Sequence, residues 1–149
     1  MKKINIIFCL FISFLIAGCQ NSENSTIKNL EQNNIPDYTP GSEDIIGMNG
    51  EIENIERFKE FLNNVEKGKN DNIRVVIYTV EGDPMLHELE YDGEVIKSTT
   101  DTRRDKFGEG SIINTTCTSI EVVETTERTD YILEGCENGL DNTVLVTGK

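Results

Sequence analysis

Few residues in this chain are equipped for chemistry. It has one imidazole, His87, and four thiols, at Cys9, Cys19, Cys117 and Cys136. A histidine acting as general base needs a nucleophile within reach and a carboxylate to orient it. One His excludes a His-rich zinc site and any apparatus built on two imidazoles. No G-x-S-x-G, H-E-x-x-H or P-loop pattern occurs. The expectation is therefore no catalytic residue, no metal and no cofactor, in a protein that is not an enzyme.

The most unusual polar stretch is Asp101-Thr102-Arg103-Arg104-Asp105-Lys106-Phe107-Gly108. Adjacent Arg103 and Arg104 suit bidentate capture of a carboxylate or phosphate. The plainer reading is a solvated loop whose arginines pair with Asp101 and Asp105. The stretch fails the EF-hand pattern, because Arg stands where Asp or Asn ligands should alternate. Asp101, Arg103, Arg104 and Asp105 are kept as a candidate ligand-binding loop.

The cysteines divide by position. Lys2-Lys3 precede an apolar run from Ile4 to Ala17, too short for the roughly 20 residues of a membrane span but right for a signal-peptide core. The run ends in Ile16-Ala17-Gly18-Cys19, which resembles the lipobox of bacterial lipoproteins. Small residues at 17 and 18 admit a peptidase, and the Cys19 thiol accepts a diacylglycerol. Residues 1–18 are then a cleaved signal peptide that takes Cys9 with it, and Cys19 is the lipidation site. Two acyl chains meet the requirement for stable anchoring. The expected location is the cell membrane, lipid-anchored and facing outward, with the membrane itself a partner through Cys19. Outside the cell Cys117 and Cys136 are expected to pair as a disulfide. The spacing is not the C-x-x-C of an oxidoreductase.

Lys+Arg is 14 against Asp+Glu 27, a formal charge of −13. Both charges lost with the signal are lysines, so the mature chain is more acidic still. That excludes a nucleic-acid partner, which needs clustered cations. No Ala remains after residue 18, so the core must come from Ile, Val and Leu, which favour strands.

These side chains need elements to position them. Residues 19–48 are rich in Asn, Ser, Glu and Gln and read as a lipidated Cys followed by a flexible tether, reaching about 30 Å. Residues 49–149 read as one domain. Ile52, Ile55, Phe58, Phe61, Leu62 and Val65 make a helical stripe, with Asn49 or Gly50 capping its start and Gly68 ending it. Ile73–Val80, apolar on both faces, reads as a central strand. Asp92-Gly93 reads as a type I′ hairpin turn, setting Tyr91 opposite Glu94, Leu89 opposite Ile96 and Glu88 opposite Lys97, with His87 on the Leu89 face. A second hairpin around Thr125–Arg128 sets Ile120 opposite Leu133 and Val122 opposite Tyr131. The same register brings Cys117 opposite Cys136, on the hairpin's more polar face. A closer than usual pair, or a distortion at Gly135, would let the sulfurs meet. Thr143–Thr147 is a candidate last strand. The fold class expected is α+β, with one N-terminal amphipathic helix packed on a mainly antiparallel sheet of about five or six strands.

The run from Asn63 through Asn72-Ile73-Arg74-Val75-Val76, then Glu81-Gly82-Asp83-Pro84, Tyr91-Asp92-Gly93, Asp105-Lys106-Phe107-Gly108, Cys117 and Cys136, resembles a family of small Bacillus-type lipoproteins. That family is catalogued as a domain of unknown function, number 4362. The resemblance covers about residues 45–137. It implies an extracytoplasmic lipoprotein of a Gram-positive cell and brings no activity or catalytic residue with it. The function expected is a non-enzymatic binding or interaction module at the cell surface, meeting a protein or small-molecule ligand outside the membrane. Two alternatives stand beside it: an unfamiliar enzyme or inhibitor with a site near His87, and a redox-responsive module through Cys117–Cys136.

Overall fold

The computed structural model describes residues 35–137, 139 and 142–149. In chain order the elements are β1 (Ile45–Met48), β2 (Glu51–Glu53), α1 (Ile55–Glu66), β3 (Asp71–Tyr78), β4 (Pro84–Tyr91) and β5 (Ile96–Asp101), then β6 (Ile112–Cys117), β7 (Ser119–Glu124), β8 (Arg128–Glu134) and β9 (Thr143–Gly148). A six-stranded sheet runs β2-β1-β3-β4-β5-β6, and a three-stranded sheet runs β7-β8-β9. β1 and β3 pair in parallel, and the other strand pairs are antiparallel.

The expected α+β arrangement, an N-terminal helix on one sheet of five or six strands, is corrected. The domain is mostly β, its strands form two sheets, and its short helix follows a hairpin. The cause is Asn49-Gly50. Both residues have positive φ, 52° and 85°, and Met48 pairs with Glu51 across them. This is the two-residue primed turn that Asn-Gly favours. The pair folds the chain back into β2, and Ile52 goes to that strand rather than to the helix. The helix begins after Asn54, whose side-chain amide donates to the Asp44 carbonyl at 2.8 Å.

The stretch 19–48 is also not all tether. Ile45 is fully buried in β1. Upstream of it the Tyr38 hydroxyl and the Gly41 N–H both donate to Asp44 Oδ2, and the Pro36 carbonyl accepts from Arg104 Nε at 3.1 Å. A four-residue strand is too short to show a period, so composition alone misreads it. The expected signal peptide 1–18, the expected lipidation at Cys19 and the expected tether up to residue 34 lie outside the described residues.

α1 ends as its sequence dictates. The Lys69 N–H reaches the Asn64 carbonyl and the Gly68 N–H reaches that of Val65, the paired bonds of a Schellman stop. Phe58 and Phe61 are fully buried, with Ile55, Leu62 and Val65 packed at the margin. Phe58 meets Tyr131 of β8 edge-on, centroids 4.9 Å apart, an arrangement aromatic quadrupoles prefer. One core cluster draws on the inner face of the large sheet (Ile73, Val75, Leu89, Tyr91, Ile96), on α1 and on the small sheet (Leu133, Val144, Leu145).

The first predicted hairpin is displaced by two residues. Tyr91 pairs with Ile96, Glu90 with Lys97 and Glu88 with Thr99. Asp92 accepts the N–H groups of Glu94 and Val95, and that local capping closes a four-residue loop. Because the slip is even, every side chain keeps its face. The expected Glu88–Lys97 pair is lost, and Glu88 accepts from Arg74 instead. The second hairpin has the predicted register, Ile120 to Leu133 and Val122 to Tyr131, and Thr143 opens the last strand.

Candidate functional site

At one end of the large sheet two loops are joined by a buried carboxylate. The β3–β4 turn closes through the Thr79 N–H on the Asp83 carbonyl and the Gly82 N–H on the Thr79 carbonyl. This turn places Asp83 in the interior. The Asp83 carboxylate then accepts from the Lys106 N–H at 3.0 Å and from Lys106 Nζ at 2.9 Å, which pins the β5–β6 loop beside the turn. The hydrogen bonds from Lys106 hold the Asp83 carboxyl below its usual range. At the tips of the joined loops stand Val80, 96% exposed, and Phe107, 79% exposed.

The candidate loop itself is built around Asp101. Arg103 donates to it through Nε and Nη2, both at 2.9 Å, and Arg104 through Nη1 at 3.0 Å. The Arg103 hydrogen bonds pull the Asp101 carboxyl down to about 2. Asp101 thus fills the fork that an incoming carboxylate or phosphate would use. Asp105 pairs with neither arginine. Its Oδ1 accepts the Phe107 and Gly108 N–H groups at 2.9 Å, which shapes the loop tip. The sequence showed Asp101 and Arg103–Arg104 together. It did not show Lys106 reaching back 23 positions to Asp83, nor Val80 and Phe107 sharing an end. Their only signal is that each is a large apolar residue inside a polar turn.

Cys117 and Cys136 form the expected disulfide, with Cα atoms 4.0 Å apart. Its surroundings differ from the expected polar face. Cys117 is fully buried, with Cys136 packed against the same core. Cys117 still belongs to β6, opposite Ile96. The chain passes to the second sheet at Thr118, so hairpin alternation does not govern where Cys117 points. Gly135 has φ +64°, and a Cβ there would overlap Thr118 Oγ1. Glycine at 135 thus admits the close approach beside the bond.

His87 lines an open groove of about 340 Å³ between the β1–β2 hairpin, the inner face of β3 and β4, and β9. Ile52, Ile77, Met85 and Val144 line it, together with Tyr78, Asn49 and Thr143. Burial pushes the imidazole pKa down, so the ring is neutral at pH 7. Glu88 and Glu90, its chain neighbours, face the other side of the sheet. Among the described residues no carboxylate lines the groove to orient the ring. Among the described residues there is no His/Cys/Asp/Glu cluster fit for a metal, and no helix is long and apolar enough to cross a membrane.

A family model described as "Domain of unknown function (DUF4362)" matches residues 42–132. The chain belongs to the DUF4362 family. The matched span runs from just before β1 to β8 and includes both joined loops, His87 and Cys117. No curated protein and no solved structure matches the chain.

Proposed function

We propose that this DUF4362 protein is a lipid-anchored extracytoplasmic lipoprotein and a non-enzymatic binding module, whose contact surface is the loop pair carrying Val80 and Phe107. The observation that carries the binding reading is that pair of exposed apolar side chains on loops locked together by Asp83 and Lys106. Exposed apolar side chains on a preorganised end bind with little ordering cost. The Lys2-Lys3 start and the Ile16-Ala17-Gly18-Cys19 sequence support the anchor. The partner is a protein outside the membrane that offers an apolar recess.

A photo-crosslinking phenylalanine at position 107, tested in intact cells against the same group at Glu66 on α1, probes this surface. The expected result is a discrete adduct from position 107 alone that Val80→Asp abolishes. Identical adducts from both positions, or none from 107, would discard the surface. The anchor has a separate test. Cys19→Ser should move the protein from the membrane fraction to the medium, and its retention in the membrane would discard the lipid.

A further inference from the structure

We infer that the free edge of β6 is a self-association surface, at which two copies of this chain pair antiparallel with Ile113 opposite Ile113. β6 ends the large sheet, with β5 on one side and, among the described residues, no strand on the other. The β5 ladder fixes which groups it leaves open. The Thr102 N–H reaches the Ser111 carbonyl, one step beyond the Asp101–Ile112 pair. Backbone groups in an antiparallel pair alternate in direction. Ser111, Ile113 and Thr115 therefore bond toward β5, while Ile112, Asn114 and Thr116 aim their N–H and C=O groups at the open side. The Thr116 carbonyl agrees, since it accepts the Glu137 N–H at 3.1 Å. Glu137 thus closes the edge at Thr116. Among the described residues nothing closes it at Ile112 and Asn114, which are both exposed.

An open edge accepts an extended strand, and natural proteins blunt such edges with charge or proline. The other edges are blunted or have a neighbour. β2 carries Glu51 and Glu53, β7 carries Glu121 and Glu124, and β9 has β2 beside it. β6 has neither device. Gly110 to Ile120 is the longest run without a charged residue after Cys19, and it holds no proline. Ile112 and Ile113 stand exposed in it. Charge selects a second copy as the occupant. Two chains of formal charge −13 repel each other, and this uncharged strip lets them meet with no like charges opposed. The bonding pattern is also self-complementary. With Ile113 opposite Ile113, Ile112 of each copy faces Asn114 of the other, and every open N–H and C=O of both residues finds a partner. Centring the pair on Asn114 would set Ile112 against Thr116, whose carbonyl is taken. Centring it on Ile112 would set Asn114 against Gly110, beyond the end of β6. The patch is small beside the area a tight dimer buries, so the pair forms at high local concentration. It shares no residue with the loop end carrying Val80 and Phe107.

Cysteine trapping tests the register on the mature chain carrying Cys19→Ser, in concentrated solution with a mild copper oxidant. In the inferred pair the two residues 113 form a non-hydrogen-bonded pair with Cα atoms about 4.5 Å apart, within disulfide reach. The two residues 112 do not face each other. Ile113→Cys should therefore form linked dimer about fivefold faster than Ile112→Cys, although position 112 is the more exposed, 47% against 36%. Random collision would favour position 112. A mixture of Ile112→Cys and Asn114→Cys chains should link faster than either chain alone. Asn114→Pro removes an N–H that faces away from β5. Added to the Ile113→Cys chain, it should cut the dimer about fivefold while circular dichroism shows an unchanged fold. Equal rates at 112 and 113, or a faster rate at 112, would overturn the pairing and leave the edge to a strand of another protein. Undiminished dimer from a folded Asn114→Pro chain would overturn it too. The comparison of the two cysteine variants stands whether or not the proline variant folds.

Discussion

Asp101 and Asp83 do similar work with different partners. Each is a shielded carboxylate that turns flexible cations into fixed structure, and each depends on remaining ionised. The two arginines on Asp101 lower its folded pKa to about 2 from an ordinary 3.8. The unfolded chain therefore binds the proton first as pH falls. The stabilisation is complete above about pH 4 and is lost as pH drops toward 2. Asp101→Asn should cost on the order of 1 kcal/mol at pH 7, since solvent screens a pair at the loop surface. The difference from wild type should vanish near pH 2. Urea titrations at the two pH values check this, and a variant equally destabilised at both would show that charge is not the cause. Reading Arg103 and Arg104 as an anion clamp was reasonable from residue types. The plainer reading, arginines paired within the loop, holds for Asp101, whereas Asp105 accepts backbone N–H groups instead.

At the scale of elements, two similar dipeptides had opposite outcomes. Asn49-Gly50 reads as a helix cap but forms the primed turn. Asp92-Gly93 reads as the primed turn but opens a longer loop. Asn tolerates the left-handed region, which Asn49 occupies. Asp92 instead spends its carboxylate on the N–H groups of Glu94 and Val95. Periodicity located α1, β3 and the faces of β4 and β5, because those follow from which residues must be buried. The three- and four-residue strands β1 and β2 leave no such trace. Gly50 gives a direct test, since nothing lies within 4 Å of a Cβ built there. Gly50→Ala should cost about 1 kcal/mol through backbone conformation alone. D-Alanine at the same position, introduced by chemical ligation, should cost nothing. Equal losses from both enantiomers in a thermal melt would show the effect to be steric.

At the scale of the molecule, the disulfide closes the join between the two sheets. Cys117 ends the last strand of the large sheet, and Cys136 lies just past the central strand of the small one. The second hairpin was legible because its apolar matching fixed the register that also opposed the two thiols. The split into two sheets was not legible, since nothing in the residue pattern around Thr118 marks a change of partner. A bond spanning 19 positions should contribute about 3 kcal/mol on the chain-entropy estimate. Replacing both residues by Ala avoids burying a hydroxyl. Cys117→Ala/Cys136→Ala should lower stability by about that amount in urea and leave the circular dichroism spectrum native. A loss well under 1 kcal/mol would mean that packing alone holds the sheets together.

The strand order also bears on how the chain assembles in time. From β4 to β6, each strand of the large sheet is hydrogen-bonded to its predecessor in the sequence, and β3 itself docks on β1. A chain delivered N-terminus first would find each new strand's docking edge already made. Apart from the three-residue edge strand β2, the newest strand alone would then present an unpaired edge to neighbouring molecules, and no pairing in this sheet would wait for a distant segment. The small sheet comes last, and the cysteines meet only after Cys136 has emerged. A thiol trap applied during delivery should therefore catch chains with a finished large sheet and Cys117 still reduced.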